Sequence, residues 1–230
     1  MEHKSPLIYS LLANPMDGAA IEAQSLAIIG AEAPPHQFSA DEWSVVRRMI
    51  HSTADFAIAH CARFSPAAIP AGMAALRAGR PIFTDSNMIR AGLSMARLQR
   101  VSSAYRQDHI FCHVADPDVA AQARAASLPR SLFAVRRAGT ALDGAIAVFG
   151  NAPVALLELS RMVIEDGIRP ALVIAMPVGF VHVSESKREL MGLPLPWIAT
   201  EGRRGGSTLA VAAIHALCEL CNEPGRREPA

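Results

Sequence analysis

The sequence predicts a single α/β domain: a mostly parallel sheet flanked by helices, with N-terminal helices contributing to a binding site. Two observations predict it. Apolar runs at residues 81–85, 109–114, 145–150, 171–179 and 196–200 are continuous rather than alternating, as in strands buried on both faces. Helical stretches separate them, at 86–98, 117–126, 152–166, 184–191 and 207–221. Such β/α alternation builds parallel sheets with right-handed crossovers, and their ligands sit outside the carboxyl ends of the strands.

Two helices precede the strands. The first is expected to start at Asn14, a capping residue, with Pro15 at the first helical position and Asp17 in the first turn. It should run to about Ala33, where Pro34-Pro35 stops it. The second opens on a capping box, Ser39-Ala40-Asp41-Glu42, with Phe38 and Trp43 placed for a hydrophobic staple. Val45, Val46, Met49 and Ile50 form its buried stripe. Arg47, Arg48 and His51 lie near its end, the histidine one turn after both arginines.

Composition narrows the function classes. Of 230 residues 51% are hydrophobic, so the chain can bury a sizeable core and disorder is excluded as its general state. One domain spanning 1–230 is expected, with flexible tails at about 1–8 and 222–230. Apolar runs stay short of a membrane helix, and the N-terminus shows no small-residue cleavage site. Neither a membrane nor nucleic acid is expected as a partner, the net charge being +1. The 22 basic residues include two lysines, Lys4 and Lys187, and are otherwise arginine, whose planar fork suits carboxylates. Cys218 and Cys221 have CxxC spacing but lack a second pair and fall late in a helix. Structural thiols in a reducing cytoplasm are the expected reading.

Four strand ends carry small or polar residues before a helix: Thr84-Asp85-Ser86-Asn87, Gly150-Asn151-Ala152-Pro153, Pro177-Val178-Gly179-Phe180 and 202–208, GRRGGST. Glycines admit a ligand to the backbone, and helix N-termini offer N–H groups to anions. Together they point to a broad ligand with several anionic groups. GRRGGST lacks the lysine of a phosphate-binding loop, and GxGxxG is absent, so nucleotide binding is poorly supported. The bland alternative is a tight turn that lets the last helix pack. His51 is a candidate general acid: the helix C-terminus and Asp55 favour its protonation, and Arg48 opposes it. His109, His113, His182 and His215 form no metal-ligand pattern, and no metal is expected.

In order along the chain, RRMIHSTADF, PIFTDSNMIRAGL, GNAPVALLEL, MPVGFVHVSESK and GRRGGSTLAVAAI resemble the precorrin-8X methylmutase family, which includes the cobalt-precorrin-8 enzymes. The resemblance runs from about Tyr9 to Leu220. It implies a homodimeric α/β isomerase of corrin-ring biosynthesis with its site near the subunit interface. It also implies methyl migration on a tetrapyrrole from carbon 11 to carbon 12, without cofactor, metal or methyl donor. His51 matches the family's proton donor/acceptor, and Ser25 and Arg48 match its substrate-binding serine and arginine. Arg130-Ser131 matches an Arg-Ser pair after a helix. Thr84, Asp85 and Ser86 are candidate pocket contacts, as are Gly179 and Phe180, although Asp85 is equally readable as a helix cap. Ser186 and Lys187 read either as carboxylate ligands or as a cap and a surface charge. Two alternatives stay open: a non-catalytic corrinoid carrier and a nucleotide-dependent transferase.

Overall fold

Six strands form one sheet in the order β1-β6-β5-β4-β2-β3, with helices on both faces. The computed structural model describes residues 6–223. The expected tails fall largely outside the described residues, and Ile8 and Asn222 belong to helices. In chain order, α1 (Ile8–Ala13), α2 (Gly18–Glu32), α3 (Ala40–Thr53) and the single turn α4 (Ile58–Cys61) lead into β1 (Ala62–Phe64). Then come α5 (Ala68–Arg77), β2 (Ile82–Thr84), α6 (Asn87–Gly92), α7 (Met95–Val101) and β3 (Ile110–Phe111). Next are α8 (Pro117–Ala126), α9 (Arg130–Ala138), β4 (Ile146–Phe149) and α10 (Pro153–Glu165). The chain continues through β5 (Leu172–Ala175), α11 (Val183–Met191), β6 (Trp197–Thr200) and α12 (Ser207–Asn222).

The five predicted strands pair in parallel, and β1 adds an antiparallel edge against β6. The continuous apolar runs have the expected cause. Ile82, Ile146, Val148, Leu172, Ile174 and Ile198 point into a core shared with α3, α5 and α12. Their neighbours Phe83, Ala147, Phe149, Val173 and Ala175 point into a second core beneath α10. Alternation along each strand thus fills both faces.

Several boundaries differ from expectation. Asp17, not Asn14, caps the long first helix, accepting from Ala20 N at 2.8 Å, and Asn14 instead ends the short α1. The capping box forms as expected: Ser39 N donates to Glu42 Oε2 (2.8 Å), and Glu42 N donates to Ser39 Oγ (3.3 Å). Stretch 86–98 is two helices, because Leu93 is extended and Ser94 recaps the chain at Arg97 N. Helix α5 was hidden by Pro70 and Gly72. Pro70 falls in the first turn, where a missing N–H costs nothing. A Cβ at Gly72 would lie 2.9 Å from Leu172 and Leu217 side chains, so this glycine lets α5 press against β5 and α12.

Chain order reverses between β2 and β4, the point where open α/β sheets gather ligands. Buried Asp85 accepts hydrogen bonds from Gly150 N (3.1 Å), Asn151 N (2.9 Å) and Ala152 N (2.7 Å), so it caps α10.

Candidate active site

His51 stands in the last turn of α3, and its Nδ1 lies 2.8 Å from Ser25 Oγ on α2. They share one wall of a cavity of about 560 Å³. Ile21, Ile28 and Phe56 give it apolar surface, and Gln24 and Glu32 add polar groups. The helix ends at Ala54, held in the left-handed region at φ 52° with its N–H on Ile50 O, which turns the chain away below the imidazole.

The surroundings of His51 differ from those its neighbours in sequence imply. Asp55 pairs with Arg204, Oδ2 to Nε 3.1 Å, and its other oxygen accepts from Ala57 N. The residue facing the imidazole is Ser25. Arg48 is 93% buried in effect, its residue being 7% exposed, and its charge is compensated. Its Nε donates to Glu219 Oε2 at 2.9 Å, and its Nη2 contacts both Glu22 and Glu219. Arg97 completes the group, meeting Glu219 through Nη1 and Glu22 through Nη2 (3.3 Å). Glu22, Arg97 and Glu219 were not singled out from the sequence; they lie on α2, α7 and α12, and their only local sign is Glu22 one turn before Ser25. Arg47 is half-buried, with Nε carrying no hydrogen-bond partner among the described residues.

The remaining candidates lie at the carboxyl edge of the sheet, and none lines this cavity. Thr84 is fully buried. Ser86 caps α6 through Ile89 N and approaches Ser207 Oγ at 3.1 Å. Asp85 is a cap, but of α10 rather than of the helix that follows it. Burial pushes its carboxyl pKa up, against the pull of its three backbone donors. Arg130 is exposed and Ser131 buried at the head of α9. Gly179 adopts φ 142°, and Phe180 is 81% exposed beneath the Arg203 guanidinium, 5.2 Å from the ring centre.

Both readings of Ser186 and Lys187 are corrected. Ser186 Oγ donates to Val183 O within its own helix. Lys187 is not a surface charge: fully buried, it donates to Thr200 Oγ1 (3.1 Å), Gly202 O (3.0 Å) and Arg204 O (2.6 Å). Burial lowers its pKa to about 8. The GRRGGST turn it clamps is packed as a structural turn would be. A Cβ on Gly205 would fall 2.2 Å from Met176 O, and Gly206 N donates to that oxygen at 2.8 Å. Cys218 and Cys221 are free and buried on α12, and burial raises both thiols. Among the described residues, no cluster of three His, Cys, Asp or Glu is placed to hold a metal, and no helix is long and apolar enough to cross a membrane.

Comparison with known proteins shows the family of the chain. The precorrin-8X methylmutase family model matches residues 20–220. The chain is 41% identical over 218 residues to the cobalt-precorrin-8 methylmutase of Leptospira interrogans serogroup Icterohaemorrhagiae serovar Lai, covering 91% of this chain and 97% of that one. It is 38% identical over 203 residues to the precorrin-8X methylmutase of Pseudomonas aeruginosa, covering 87% and 95%. Among solved structures, precorrin-8X methyl mutase from Thermus thermophilus matches with a TM-score of 0.81 at 50% identity, over 89% of this chain and 96% of that one. The chain therefore belongs to the precorrin-8X methylmutase family and is an isomerase, a methylmutase of cobalamin biosynthesis.

Proposed function

We propose that the chain moves a methyl group from carbon 11 to carbon 12 of precorrin-8X or cobalt-precorrin-8, giving hydrogenobyrinate or cobyrinate, with His51 as acid and base. The observation that carries this is the Ser25–His51 contact at 2.8 Å on the wall of a largely apolar cavity. With Nδ1 engaged by Ser25, Nε2 is the nitrogen free to exchange a proton with the ring. Protonation of a macrocycle nitrogen or bridge carbon draws electrons from the conjugated system. The bond from carbon 11 to the methyl breaks as the bond to carbon 12 forms, and the proton returns to Nε2. Substrate and product contain the same atoms, so no methyl donor is consumed.

A flat macrocycle needs apolar walls and several anion sites at its rim. Ile21, Ile28 and Phe56 suit the first need. Half-buried Arg47, exposed Arg130 and the Gly179–Phe180 loop suit the second, together with Ser86 and Ser131. The same reading makes the chain a homodimer with its site near the interface, so that a second copy brings strand-edge residues towards a cavity their own chain leaves them outside. Exposed apolar side chains support it: Leu7, Tyr9 and Leu12 are each more than 60% exposed. Light scattering in solution checks the mass.

Turnover is tested with His51→Ala. A general acid contributes about 10² to 10⁴-fold, so the loss of kcat should fall in that range with ligand affinity retained. The ring chromophore changes on rearrangement, so absorption spectra report turnover directly. A His51→Ala protein with near-normal turnover removes this assignment. A wild-type protein that binds substrate without changing its spectrum is a corrinoid carrier.

A further inference from the structure

Helix α2 is held to the fold along a narrow stripe. Glu22, Ser25, Leu26 and Ile29 are the residues of α2 withdrawn from solvent, and of these Ile29 alone is buried. The two polar members carry the specific contacts. Glu22 meets Arg48 and Ser25 meets His51, and both pairs are 26 residues apart. The Ser25–His51 pair lies one turn further along both helices than the Glu22–Arg48 pair, so the contacts are successive rungs between α2 and α3. A slip of α2 along α3 breaks both.

The Glu22 rung is the more firmly anchored. Arg48, Glu22, Arg97 and Glu219 form a closed ring of alternating charge drawn from α3, α2, α7 and α12. Two guanidinium groups balance two carboxylates. Arg48 is 7% exposed, so its charge requires these partners. The Ser25 rung, by contrast, is one hydrogen bond between part-buried groups.

We propose that Glu22 is a positioning residue for the methyl transfer: through its ring with Arg48, Arg97 and Glu219 it sets the register of α2 on α3 and so keeps Ser25 Oγ on His51 Nδ1. The proposal rests on His51 being the acid/base. Its chemical consequence is selective. While Ser25 accepts from Nδ1–H, the transferable proton is confined to Nε2. When α2 slips, Nδ1 loses its partner, the imidazole samples both tautomers and rotates more freely, and proton transfer suffers more than substrate binding.

A double-mutant cycle on the full-length protein tests this, with Glu22→Ala, Ser25→Ala and the double variant, each checked for native circular dichroism. Each single change should lower kcat by about tenfold and leave KM within about twofold, and the double variant should fall no more than about twofold below Ser25→Ala, because both act through one contact. The ¹⁵N resonances of the His51 ring in Glu22→Ala should match those in Ser25→Ala. If Glu22→Ala does not fold, Glu22→Gln, which keeps an acceptor oxygen but not the charge, enters the same cycle. Losses that multiply to about a hundredfold in the double variant overturn the proposal, since they mean independent action. So does a Glu22 variant with wild-type kcat and wild-type ring resonances. Full activity in His51→Ala would remove the acid/base reading instead, and the ring resonances would still decide whether Glu22 positions the pair.

Discussion

Asp85 Oδ2 lies 2.7 Å from Ala152 N, so the loop after β2 stoppers the head of α10 across the point where strand order reverses. Exchanging the carboxylate for an amide puts an NH₂ donor against backbone N–H groups in a buried site. Asp85→Asn should cost about 2 to 3 kcal/mol of stability, the penalty of a buried polar group without its partner. Urea denaturation measures the cost. If Asp85 acts as a cap, KM of the folded variant stays within about twofold of wild type, well below the tenfold that 1.4 kcal/mol of lost binding represents.

Gly205 touches the backbone of Met176 and Pro177 too closely for any side chain. The obstacles are carbonyl oxygens on the sheet edge, which cannot rotate aside. Gly205→Ala should therefore destabilise by about 3 kcal/mol or more, at the upper end of overpacking costs, and lower Tm by several degrees. A Tm equal to wild type would show that the turn after β6 yields more easily than its packing implies.

Arg48 presents the usual asymmetry of a buried ion group. Removing one carboxylate leaves the guanidinium under-compensated, and Glu219→Ala should cost about 3 kcal/mol. Replacing the arginine itself by an apolar chain of similar length leaves two partly exposed glutamates facing Arg97, and Arg48→Met should stay within about 1 kcal/mol of wild type. Parallel urea titrations compare the two. A costlier Arg48→Met than Glu219→Ala would mean that Arg48 contributes through packing rather than charge.

His215 ties the ring to acid stability. Burial, then Arg97 and Arg48, depress its pKa to about 4 from 6.5, with Glu22 pulling the other way. Its Nε2 accepts from Ser94 N at 3.0 Å, a bond available to the unprotonated nitrogen. Between those two values the unfolded chain holds the proton and the folded chain does not, so stability falls as pH drops through that window. The loss from pH 7 to pH 5 should be on the order of 1 kcal/mol from this group. His215→Gln keeps an acceptor without the titration and should show a correspondingly smaller loss in urea midpoints at the two pH values.

Much of this molecule was legible because its signals are local. Apolar runs identified five strands, and Ser39 with Glu42 identified the start of α3. What escaped was set by distant neighbours. The strand Ala62–Phe64 is a three-residue edge that exists because β6 offers it an antiparallel partner 134 residues on, Phe64 against Ile198. Lys187 reads as a surface charge within its helix, yet three oxygens from the 200–204 turn close over it. Asp55 reads as a partner for His51, and Arg204 takes it instead.

The five parallel strands, the helices that separate most of them and the histidine near the end of α3 follow from the sequence by itself, since burial periodicity and capping act over a few residues. Which group faces that histidine was a tertiary decision. Ser25 reaches it, and Glu22, Arg97 and Glu219 surround the arginine one turn away, because four helices converge there. Packing pays no regard to separation along the chain, and a guanidinium buried by that packing takes whichever carboxylates the fold delivers.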